Sequence, residues 1–274
     1  IDMRLKKGVD EDSLSETRAS FYRNRSHQGK TVLILGAGNL SCIPAMDVLT
    51  KMFNEGKTCI LKMNPVNAYL GYFIEEAFKD AIDKNYLAVV YGKVEQAEYL
   101  LNHDGVDEIN ITGSDKTHDY IYWGAPGQER VKRMARNMPL ITKPGTSSLG
   151  NISPVILFPG QYTQEQLNYQ AEDIAGALNF NSGFMCSVPV VLVTSKFWPQ
   201  RNEFLNLLEQ KIQQLEPRRA YYPGAKERWQ SVIMSSMYFK VFGEQQNHCT
   251  PWAFAKGLSE NDFDFELYQR EPFC

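Results

Sequence analysis

The side chain best suited to attack a carbonyl near neutral pH is a thiol, and this 274-residue chain has five, at positions 42, 59, 186, 249 and 274. None forms a Cys-x-x-Cys pair or a Cys/His spacing suited to a metal. No metal site or disulfide framework is therefore expected, and reduced thiols in a cytoplasmic compartment are. Cys186 is placed differently from the rest: it follows Asn181-Ser182-Gly183-Phe184-Met185 and precedes the apolar run from Val188 to Thr194. A thiol between a glycine turn and a strand can be presented at a domain junction. On spacing alone a core thiol is the commoner outcome, because free cysteine is often buried.

Two glycine turns can do a different chemistry, the cradling of phosphate. Leu35-Gly36-Ala37-Gly38-Asn39-Leu40-Ser41 falls between a predicted strand and a predicted helix, one residue short of the dinucleotide fingerprint. Its third glycine is Ser41, and the acidic residue expected about twenty positions on is missing; the next strand ends on Lys62 instead. Gly113-Ser114, at the end of a later strand and the start of a helix, can turn backbone N–H groups toward a cofactor phosphate. A plain N-cap serine explains the same residues.

The elements that must position these groups alternate. Strands are predicted at 31–35, 58–63, 87–91 and 106–112, with helices at 43–54, 70–82 and 94–102 between them. Such alternation implies a parallel sheet covered on both faces. Lys143 to Gly150 reads as a connector, and a domain boundary is placed near residue 150. Beyond it come strands at 155–158 and 188–194 and a helix at 204–215. Another helix runs to Leu178 and opens with the Thr163/Gln166 capping box. Residues 216–262 give no clear pattern.

With 43% apolar and 22% charged residues and a net charge of −3, the chain carries no footprint for nucleic acid or an anionic membrane. The basic runs at Arg4–Lys7 and Arg130–Arg136 read as solvated surface. No apolar stretch long enough for a transmembrane helix occurs. The chain opens on Ile1 and breaks off at Cys274, so a fragment of a longer polypeptide is expected.

Five segments, in order, resemble the NAD(P)-dependent aldehyde dehydrogenase superfamily. Gly36 to Lys62 is similar to the family's asparagine loop and following lysine strand, and Val106 to Ser114 to its strand ending in Thr-Gly-Ser. Ser148-Leu149-Gly150-Asn151-Ile152-Ser153-Pro154 resembles Glu-Leu-Gly-Gly-x-x-Pro, and Asn181 to Cys186 resembles the nucleophile motif Asn-x-Gly-Gln-x-Cys. Glu271-Pro272-Phe273 resembles the Glu-x-Phe near the cofactor.

The resemblance implies an α/β fold: a Rossmann-like parallel-sheet cofactor domain over 1–150, then part of an α/β catalytic domain over 151–274. It implies oxidation of an aldehyde, or reduction of an acyl thioester, through a cysteine adduct with hydride transfer to or from NAD or NADP. Cys186 takes the nucleophile's place, with Asn39 and the Cys186 backbone N–H as donors to the alkoxide. Asn39 alone also reads as a turn asparagine. Lys62 takes the place of the lysine at the adenosine ribose; Pro65 stands where NAD-preferring members often carry a carboxylate, so NAD and NADP both stay open. Gly113 and Ser114 face the phosphates, and Glu271 and Phe273 the nicotinamide ribose. Ser148 occupies the general-base position, where serine cannot take a proton without a base of its own, and Phe184 replaces a glutamine. Release of the acyl group by coenzyme A, loss of turnover with a binding or assembly role, and a substitute carboxylate base all follow as readings. A homo-oligomer is expected. A Rossmann module built on the Gly36 turn is the competing fold-level reading.

Overall fold

Two short helices, α1 (Glu11–Thr17) and α2 (Ser20–Arg23), precede the first strand in the computed structural model, which describes residues 7–17, 20–23, 26–235, 238–244, 249–258 and 271–272. Phe273, Cys274 and residues 4–6 of the first basic run lie outside the described residues. The chain forms two compact units, residues 1–112 with 121–147, and residues 113–120 with 148–274.

In the first unit, Thr31 to Leu35 is apolar at successive positions because both of its faces are covered. Val32 and Ile34 pack with Val48, Leu61 and Ile74, while Leu33 packs with Leu101, Ile109 and Ile141. The elements follow in order as β1 (Thr31–Leu35), α3 (Ile43–Leu49), β2 (Thr58–Lys62), α4 (Gly71–Ala77), α5 (Lys79–Asp83), β3 (Leu87–Val90), α6 (Val94–Asn102) and β4 (Glu108–Gly113). α7 (Asp115–Trp123), α8 (Gln128–Arg136) and β5 (Gly145–Leu149) complete this stretch. The sheet order is β3-β2-β1-β4-β5, and β1 runs parallel to β2 and β4, β2 to β3. The expected parallel α/β sheet is thus present.

Up to β5, three local features differ from the sequence expectation. The helix at 43–54 changes after Leu49 into wider π turns over Thr50–Asn54, where Lys51 is buried and pairs with Glu55 at 2.9 Å. The helix at 70–82 breaks at Phe78 (φ −107°, ψ 20°). The expected connector at 143–150 contains β5, an edge strand tied to its neighbour by Thr146 Oγ1 donating to Asn110 Oδ1 at 2.6 Å.

The second unit continues with β6 (Val155–Leu157), α9 (Gln164–Asn179), β7 (Leu192–Thr194), α10 (Arg201–Gln213), β8 (Arg218–Arg219), α11 (Ala225–Met234), β9 (Phe239–Phe242), β10 (Cys249–Thr250) and β11 (Trp252–Ala255). β6 and β7 pair in parallel, and the strand expected from Val188 forms only over its last three residues. Its core joins Leu167, Ala171 and Ala175 of α9 to Phe204, Leu205, Leu208 and Ile212 of α10. The Thr163/Gln166 capping box opens α9, with reciprocal bonds of 2.9 and 3.2 Å.

Candidate active site

Asn181 (φ 49°), Ser182 (φ 56°) and Gly183 (φ 81°) are three consecutive left-handed residues. For L-residues that region costs about 1–2 kcal/mol each, least for asparagine and glycine, so the turn must be held from outside. Asn181 holds it twice, its Nδ2 donating to Phe184 O at 3.0 Å and to Tyr221 Oη at 3.1 Å. Arg218, buried and stacked 4.1 Å over the Trp252 ring, donates to Ser182 O at 3.2 Å. Phe184 is fully buried against the rings of Tyr221 and Tyr222, 4.9 and 6.0 Å away. The turn therefore delivers Cys186 half-buried, with its carbonyl accepting from Asn151 Nδ2 at 3.3 Å.

Asn151 is itself fixed by an Asx turn: its Oδ1 accepts from Ser153 N at 2.6 Å and Ser153 Oγ at 2.7 Å. One residue before it, the Cα face of Gly150 lies against the Glu271 carboxylate, where any Cβ would collide. Ser148, two residues earlier, is exposed. Burial, with the charge of Asp115 adding to it, pushes the Glu271 carboxyl up to about 7, and Arg228 acts in the other direction. Among the described residues nothing donates to the buried Glu271 Oε1. A cavity of about 370 Å³ within this unit is walled in part by Asn151, Gly183, Met185 and Glu271.

Gly113 and Ser114 are exposed, and no atom stands within 4 Å of a Cβ built on Gly113. Ser114 Oγ accepts from Thr117 N at 3.2 Å, the N-cap arrangement for α7. Its hydroxyl is engaged, while the open Gly113 face leaves room for a phosphate. This open approach, and the Glu271 oxygen awaiting a donor, fit a dinucleotide.

Asn39 and Lys62 belong to the first unit; Gly113, Ser114, Ser148, Cys186 and Glu271 belong to the second. Asn39 is half-buried in the bend after β1. Lys62 closes β2 and is buried, which holds its ammonium below the ordinary lysine range. The Gly36 turn has a structural explanation. A Cβ on Gly38 would come within 2.7 Å of the Asn64 side chain, and Asn67 Nδ2 donates to Ala37 O at 2.8 Å. The glycine admits the protein's own asparagines where the fingerprint would admit a pyrophosphate, which argues against the competing module.

Sequence reasoning missed Asn151, Tyr221 and Asn64. Only Asn151 left a signal, the Asn-x-Ser spacing of an Asx turn. Of the other thiols, Cys42 is exposed, Cys249 half-buried, and Cys59 buried, with its pKa pushed up to about 12 by that burial. Among the described residues no helix is long and apolar enough to cross a membrane, and no cluster of His, Cys, Asp or Glu is placed to hold a metal.

The model of the aldehyde dehydrogenase family matches residues 12–225, and the chain belongs to that family. No curated protein matches it. The fold is similar to the aldehyde dehydrogenase KauB of Pseudomonas aeruginosa, with TM-score 0.70 and 20% identity over 89% of this chain and 50% of that one. It is similar also to the NADP-dependent glyceraldehyde-3-phosphate dehydrogenase of Bacillus halodurans complexed with NADP (TM-score 0.70, 17% identity, 89% and 49% covered). A third match is an aldehyde dehydrogenase of Mycobacterium tuberculosis complexed with NAD+ (TM-score 0.67, 17% identity, 89% and 50% covered). The chain spans about half the length of these structures.

Proposed function

We propose that this chain carries the cofactor-binding and nucleophile segments of an NAD(P)-dependent oxidoreductase acting on aldehydes, with Cys186 the nucleophile. The observation that carries the reading is the left-handed run at 181–183, a costly turn pinned by three side chains so that a half-buried thiol follows it. Backbone strain sustained by its surroundings is typical of functional sites.

The Cys186 thiolate attacks the aldehyde carbon and forms a C–S bond, and the carbonyl oxygen becomes an alkoxide. The Cys186 N–H is a donor to that oxygen, and Asn39 keeps the second donor's assignment that the resemblance gives it. When bound, NAD or NADP supplies the hydride acceptor that turns the adduct into a thioester. Lys62 is assigned to the adenosine ribose, Gly113 and Ser114 to phosphate, and Glu271 to the nicotinamide ribose. Phe273 keeps its assignment from resemblance alone. Domains at 1–150 and 151–274 belong to the same reading, as do homo-oligomers and a cytoplasmic setting suited to free thiols. The acyl group leaves to water or to a thiol such as coenzyme A.

Cys186→Ala is expected to abolish aldehyde-dependent reduction of NAD or NADP while leaving the melting temperature within a few degrees. Reduction persisting at more than a tenth of the wild-type rate contradicts the assignment.

A further inference from the structure

A thioester on Cys186 is a dead end unless something removes it, and the Ser148 hydroxyl cannot deprotonate water near neutral pH. The second unit holds a different proton acceptor. Glu271 is the only carboxylate among the described residues lining the 370 Å³ cavity, and it shares that wall with Gly183, Met185 and Asn151. Its carboxylate lies on Gly150, and the next residue, Asn151, donates to the carbonyl of Cys186 itself at 3.3 Å. The Gly150–Asn151 peptide and the Asn151 side chain thus lie between the carboxylate and the nucleophile's carbonyl. Its Oε1 is buried and receives no hydrogen bond from any described residue.

We propose that Glu271 is the base that activates a cavity water to hydrolyse the acyl thioester on Cys186. This rests on Cys186 being the nucleophile. The carboxylate takes a proton from water as the water oxygen bonds to the thioester carbonyl carbon. The C–S bond then breaks, its electron pair leaving on sulfur as thiolate, and the carboxylic acid departs. The proton on Glu271 passes to solvent, which restores the base. Buried beside Asp115, with Arg228 opposing, the carboxyl titrates at about 7 and is matched to this task. The cavity gives the water a place to wait.

The test uses p-nitrophenyl acetate, which acylates a thiol without any cofactor and so separates this role from ribose binding. Wild type is expected to release one p-nitrophenolate per chain in a burst and then turn over steadily, at a rate rising with pH through about 7. Glu271→Gln should keep the burst, lose roughly 10²–10⁴-fold in steady turnover and lose the inflection. Hydroxylamine, a nucleophile that needs no base, should restore its turnover. Glu271→Asp should fall between the two. Glu271→Gln with undiminished turnover and an unchanged pH profile overturns the base and leaves the nucleophile standing. So does a variant altered only in KM for NAD or NADP. A wild type without a burst, or a burst that survives Cys186→Ala, overturns both.

Discussion

Asn181 does more for the site than its place in a motif suggests. It tolerates a left-handed backbone and closes the turn with two side-chain hydrogen bonds. Asn181→Ala removes both and leaves Tyr221 Oη and Phe184 O to find other partners, at a cost of about 1–3 kcal/mol in urea unfolding. Alkylation of Cys186 should lose its selectivity in the same variant; an unchanged rate would mean that the turn does not pose the thiol. Glu271 works against the fold. Its carboxyl is raised by burial, so the folded state is favoured while the group is protonated, and that advantage is lost as pH rises from the ordinary carboxylate range through about 7. Glu271→Gln should therefore melt a few degrees above wild type at pH 8 and alongside it at pH 4. Equal melting temperatures at both pH values would place the carboxylate in water. At this scale the proposal of Cys186 came from its flanking residues. For Asn151 the Asn-x-Ser spacing showed the turn but not its contact with Cys186, which lies 35 residues away.

Strands and turns were legible where burial imposes a pattern. β1 and β2 announce themselves because a covered parallel strand carries consecutive apolar residues, Val32 to Leu35 and Cys59 to Leu61. β5 does not, since Gly-Thr-Ser-Ser-Leu is an edge strand exposed over its first four residues. The short pairs β8 with β10 and β9 with β11 are set by long-range pairing that no local period encodes. The Gly36 turn can be tested with a pair of substitutions. Gly38→Ala drives a methyl to 2.7 Å from Asn64 and should cost about 1–3 kcal/mol. Adding Asn64→Ala should recover most of that loss, and strict additivity of the two would show that they do not touch. At the other end of the sheet Glu108 pairs with Lys30 at 2.7 Å and also with Lys57. Burial raises its carboxyl pKa, but those lysines outweigh it and the net shift is downward. Its stabilisation is therefore present above the ordinary carboxylate pKa and lost as pH falls through the lowered one. Because Lys30 is 44% exposed, Glu108→Gln should cost only about 0.5–1 kcal/mol at pH 7, and nothing in strong acid.

Two units, each with its own core, make up the molecule, and the proposed groups are divided between them: Asn39 and Lys62 in one, Cys186, Gly113, Ser114 and Glu271 in the other. A dinucleotide that binds only the folded chain must raise its stability, by about 2.7 kcal/mol at a hundred times Kd. Lys62→Met should weaken that shift, and no shift with either NAD or NADP would remove the cofactor from the account. The most direct test concerns the thiols themselves. Cys42 is exposed and Cys186 only half-buried, so accessibility alone makes Cys42 react first. Peptide mapping after brief iodoacetamide treatment should show Cys186 modified fastest, Cys59 spared, and Cys186 protected by an added aldehyde. Labelling that follows exposure, with Cys42 ahead and Cys186 indifferent to aldehyde, would contradict the claim that this turn exists to present a nucleophile.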